Sequence, residues 1–102
     1  MPPPEMDFAG QLAHAQQSLV DFLRADTELA FTMLRTAEIE RAANNAVHTQ
    51  ASLAKVQEAL SAIRRLAERI QNPEASREIH AEANKLEKAL VAFLEAQPRT
   101  DS

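Results

Sequence analysis

Cysteine, tryptophan and tyrosine are absent from the 102 residues, and glycine occurs once. Without cysteine the chain has no disulfide, no thiolate nucleophile and no cysteine-bound zinc, and a reducing cytoplasm is its simplest home. Without tyrosine or tryptophan, and with valine and isoleucine too sparse to alternate over a useful length, no strand is predicted. No apolar run approaches the roughly 20 residues that cross a bilayer, so no membrane partner is expected. The start, Met1-Pro2-Pro3-Pro4-Glu5, has no basic segment leading into an apolar one. It reads as a disordered, proline-rich stretch over residues 1–4, with no secretory signal.

Positive charge is also scarce. A net charge of −4 supplies no field to attract nucleic acid, and none is expected as a partner. The imbalance is local: residues 1–60 hold four basic groups (Arg24, Arg35, Arg41, Lys55) against eight acidic ones, whereas residues 61–102 hold seven of each. Arg64, Arg65 and Arg69 form the one basic cluster, but Glu68 lies within it and no aromatic side chain is interleaved to stack on bases.

What is present points to helix. Hydrophobic residues at 45% and charged residues at 25% are the composition of a globular chain, and this length suits a single domain. Between Gln11 and Asn72 there is neither glycine nor proline, and alanine, leucine, glutamine, glutamate and arginine fill the interval. The fold class expected is all-α, an antiparallel bundle of three long helices over about 5–41, 45–71 and 73–97. Residues 98–102 are expected to fray after Pro98.

The middle helix is the clearest. Leu53, Val56, Leu60, Ile63, Ala67 and Ile70 recur at spacings of three and four, and Ala46 with Thr49 extend that seam backward. Asn72-Pro73 ends this helix and opens the next, because Pro73 disfavours helix at Asn72 while Asn72 is a good N-cap and Pro73 suits the first helical position. In the last helix Ile79, Ala83, Leu86, Leu90 and Phe93 form the buried stripe. The first half is ambiguous. Phe8, Leu12, Ala15, Leu19 and Phe22 form a seam, continued by Leu23, Ala30, Leu34 and Ala37 after a gap at Asp26-Thr27. A continuous or kinked helix is favoured, and four helices with a break near Asp26 is the alternative. The following turn is placed at Ala43-Asn44-Asn45, since asparagine tolerates the left-handed conformation. Ala42, Ala43, Ala46, Ala51, Ala54, Ala59, Ala62 and Ala67 are expected to let helices approach closely.

The residues that carry chemistry do not assemble into a constellation. Residues three before His14, His48 and His80 are Gln11, Asn45 and Arg77, so the Glu-x-x-His pattern of dimetal bundles is absent. Glu78 and His80, two apart, sit about 200° apart around a helix and cannot share an ion. Histidine phosphotransfer domains follow the phosphorylated histidine with lysine and glycine, and His48-Thr49-Gln50-Ala51-Ser52 has neither. Tetratricopeptide repeats also place alanine at helix contacts, yet their tryptophan, glycine and tyrosine positions have no counterparts here, nor does a 34-residue period. Glu38 and Glu40 point to different sides, and with Arg35 and Arg41 they read as solvated surface.

The expectation is therefore a non-catalytic helical protein–protein interaction module that forms a homodimer, with no cofactor. A small-ligand- or metal-binding bundle is the alternative. The candidate interaction surface is Met6, Phe8, Leu12, Leu19 and Phe22. It rests on the first helix being longer than the second, so that its beginning projects past the hairpin by roughly 15 Å.

Overall fold

The computed structural model describes residues 8–96, in which α1 (Phe8–Ala42), α2 (Ala46–Ala67) and α3 (Pro73–Glu95) form an all-α three-helix bundle without strands. Residues 1–4, Met6 and 98–102 lie outside the described residues. The run order is up-down-up. Near one end Gln16 meets Arg69 and Gln71, and toward the other Glu40 meets Ser52, so α1 and α2 are antiparallel. Arg24 with Glu78, and Arg41 with Phe93, set α3 parallel to α1. Among the described residues no helix is long and apolar enough to cross a membrane.

α1 runs unbroken through Ala25-Asp26-Thr27, so the break near Asp26 and the fourth helix do not occur. Thr27 is buried at 3% exposure, yet it does not interrupt the helix, because its hydroxyl donates to the Leu23 carbonyl at 2.7 Å. That bond satisfies the hydroxyl within the same helix turn and lets a threonine stand in the core. The α1 end is a Schellman closure: Asn45 N–H donates to Glu40 O at 2.8 Å and Asn44 N–H to Arg41 O at 3.0 Å. Asn44 takes the left-handed conformation this requires, with φ of 59°.

α2 starts at Ala46, one residue after the expected bound of 45, because Asn45 is the cap, its side chain accepting from His48 N–H at 3.3 Å. It also stops at Ala67 rather than Gln71. Arg69 and Ile70 donate to Leu66 O and Ala67 O, three residues back, which tightens the last turn while keeping Ile70 buried. Asn72 is then extended at φ −73° and ψ 119°, as a residue preceding proline should be, and its side chain caps α3 by accepting from Glu74 N–H and Ala75 N–H at 2.9 and 3.0 Å.

The core is read from three repeats of three and four. α1 contributes Val20, Leu23, Thr27, Ala30, Leu34 and Ala37. α2 contributes Thr49, Leu53, Val56, Ile63 and Ala67, and α3 contributes Ile79, Ala83, Leu86, Leu90 and Phe93. Two expectations are corrected. Leu60 is only half-buried, and of the eight alanines Ala67 alone is buried; Ala42, Ala43, Ala46, Ala51 and Ala54 are exposed. Ala51 and Ala54 fall outside the repeat that faces the core, Ala42 and Ala46 stand at helix ends and Ala43 lies in the turn between α1 and α2, so none of the five brings two helices together.

Candidate interaction surface

Gln16 fixes where the bundle ends. Its side-chain amide donates to Arg69 O at 3.1 Å, and its side-chain oxygen accepts from Gln71 N–H at 2.8 Å, which ties α1 to the turn between α2 and α3. Residues 8–15 of α1 extend beyond this clamp by about 12 Å. Apart from half-buried Gly10, every residue in that segment is exposed.

The predicted surface residues divide. Phe8 is 67% exposed, Leu12 49% and Phe22 53%. Leu19 is half-buried and packs against the core, and Met6 lies outside the described residues. Phe8, Leu12, Ala15, Leu19 and Phe22 therefore do not continue into Leu23, Ala30, Leu34 and Ala37 as one seam. The core line enters α1 through Val20 instead, one position over from Leu19, and Val20 was missed because the neighbouring larger side chains made an equally regular series.

Two further exposed apolar residues on α1, Leu29 at 54% and Ile39 at 68%, complete the picture. A sequence signal for both existed. Phe8, Phe22 and Leu29 are separated by multiples of seven, and Ile39 falls three residues after Thr36 in the same series. The positions Phe8, Gln11, Ala15, Ser18, Phe22, Ala25, Leu29, Thr32, Thr36 and Ile39 step by three and four along the whole of α1, and all are exposed and uncharged. The helix thus carries two parallel seams, one in the core and one on the surface.

Charged side chains of α1 sit off this second seam, and several are occupied within the bundle. Arg24 grips Glu78 in a fork, Nε to Oε2 and Nη2 to Oε1, both at 2.7 Å. That hydrogen-bonded pairing holds the Glu78 carboxyl below its ordinary range and raises the guanidinium. Arg41 donates to Phe93 O at 2.7 Å and stacks its guanidinium 3.6 Å from the Phe93 ring centroid. Ser52 donates to Glu40 at 2.7 Å.

The candidate chemical residues remain apart. His48 meets Asn45 at 2.7 Å, His80 lies 3.5 Å from Glu68, and His14 is exposed. Of the basic cluster, Arg64 bonds Asn84 and Glu87 on α3. Among the described residues no three His, Cys, Asp or Glu side chains gather to hold a metal ion. No protein-family model, no curated protein and no solved structure matches this chain.

Proposed function

We propose that this protein is a non-catalytic helical interaction module that associates with a second copy of itself through the apolar surface of α1. The observation that carries the reading is the pair Phe8 and Leu12 on a segment beyond the Gln16 clamp, 67% and 49% exposed. Small soluble domains seldom leave aromatic and branched side chains together on a projecting helix, and covering them removes apolar area from water. A twofold dimer is the simplest closed assembly that covers the same patch on both copies. A reducing cytoplasm fits a chain without cysteine.

Light scattering coupled to size exclusion tests the reading. The wild type is expected to elute as a dimer, and Phe8→Glu with Leu12→Glu to give a monomer that keeps its helical circular dichroism, because neither residue is in the core. A wild-type monomer from micromolar to submillimolar concentration refutes self-association.

A further inference from the structure

We propose that the partner for the second seam of α1 is the same seam of a second copy, running antiparallel along nearly the full helix. This rests on the self-association reading above and extends it from the projecting end to the whole of Phe8–Ile39. Isolated apolar residues on a protein surface are ordinary. Here four of the five large apolar residues exposed on α1, namely Phe8, Phe22, Leu29 and Ile39, fall on one series of three-and-four steps. That series is the spacing by which one helix packs into another.

The seam is self-complementary in size. Bulky residues stand at Phe8, Phe22, Leu29 and Ile39, and small ones at Ala15, Ser18 and Ala25. A parallel pair would stack Phe22 on Phe22 and Ala25 on Ala25, alternating crowded and hollow layers. An antiparallel pair with its twofold axis between positions 23 and 24 sets Phe22 against the partner's Ala25 and Leu29 against the partner's Ser18. Ala15 then meets the partner's Thr32, Gln11 the partner's Thr36, and Phe8 the partner's Ile39 at each end. Each bulky side chain in the middle faces a small one, which packs at even depth.

The area suffices. From Phe8 to Ile39 the seam is about 46 Å long, and a contact strip about 10 Å wide buries roughly 500 Å² on each copy. The total of about 1,000 Å² is at the lower edge of specific interfaces, as suits a reversible dimer. No core residue has to move, because the series lies on the water-facing side of α1. Asp21 faces the partner's Glu28 across the flank, so added salt does not weaken the dimer.

The absence of cysteine permits a single spin label. With Glu38→Cys labelled by a nitroxide, the two labels of the antiparallel pair stand about 45–50 Å apart, while a register one heptad away shifts the axial separation by about 10 Å. A distance near 25 Å overturns the antiparallel arrangement and leaves self-association standing. Phe22→Glu with Leu29→Glu is expected to give a monomer that melts where the wild type does when diluted to its monomeric form, because pairing stabilises only the folded state. If that variant stays dimeric while Phe8→Glu with Leu12→Glu does not, the projecting end alone carries association and the seam proposal fails. If neither dipolar coupling nor a dimer mass appears at submillimolar concentration, both readings fail together.

Discussion

Ile63→Asp is the sharpest test of the packing. Ile63 is fully buried on the core face of α2, one turn before the helix ends, in the repeat that runs Leu53, Val56, Ile63, Ala67. Truncating a buried isoleucine to alanine costs about 2–5 kcal/mol. A carboxyl there adds the desolvation of a polar group with no partner, about 1–3 kcal/mol more even when it takes up a proton. Against the roughly 5–15 kcal/mol of a domain this size, a loss of about 5 kcal/mol removes a third or more of the stability and unfolds a domain at the lower end of that range. For a domain of this length each kcal/mol moves the midpoint by about 4–8 °C, so the Tm should fall by at least roughly 20 °C. The deficit has a pH signature. Burial raises the folded pKa of the introduced carboxyl above its unfolded value near 3.9, so the folded state binds the proton more tightly. The variant therefore recovers part of its deficit as pH falls toward 4 and loses it again as pH rises. Gln57→Asp, on an exposed position of the same helix, is the control and should cost under about 0.5 kcal/mol. Thermal melts by circular dichroism decide the matter: an Ile63→Asp midpoint within a few degrees of wild type would refute the assigned core.

Asn44→Ala should lose about 1 kcal/mol in urea unfolding, because at φ of 59° alanine keeps the Cβ strain of asparagine but lacks the short polar side chain that offsets it, whereas Asn44→Gly should lose nothing. The Arg24–Glu78 fork should give a small, salt-screened pH dependence. With the Glu78 carboxyl lowered, its contribution is present above the unfolded carboxylate pKa and disappears as pH falls through the folded one, and Glu78→Gln removes that part of the acid slope of Tm. Hydrogen exchange should find amides 12–15 poorly protected in dilute solution and better protected as concentration rises. Equal exchange at all concentrations would count against a covering partner.

Much of the fold was legible because its signals were redundant. The α2–α3 turn was written three times over, in Asn72 as cap, Pro73 as breaker and starter, and the end of the Ile63-Ala67-Ile70 seam. The buried stripe of α3 was found complete, since polar and charged residues such as Glu82, Lys85 and Glu87 separate it cleanly from the surface. α1 resisted because a second regular series of uncharged residues, Phe22 and Leu29 among them, runs two positions on from its core seam, and periodicity alone does not say which is covered. Thr27 compounded the difficulty. Its burial depends on a hydroxyl bond to Leu23 O, so a polar residue at a core position looked like a break. The shortened end of α2 was hidden for a related reason: Ile70 keeps the seam's spacing and its burial while the backbone has already left the α-helix. The clamp by Gln16 had no sequence signature, because it joins residues 53 and 55 positions apart.

The two seams of α1 differ in what the fold asks of them. A helix in a three-helix bundle meets two neighbours, and its remaining side meets water, where lysine or glutamate would serve the fold as well as phenylalanine. The α3 side of α1 is engaged by the Arg24–Glu78 fork and by Arg41 on Phe93, and the α2 side by Glu40 with Ser52. Phe22, Leu29 and Ile39 belong to neither contact. They contribute little to the stability of a single copy, because each is more than half exposed. Any larger contribution has to come from association, and a face that stays outside the core in both states lets association proceed without unfolding. Folding and pairing are then separable: substitutions at Ile63 or Leu23 should abolish both, while substitutions at Phe22 and Leu29 should abolish pairing alone.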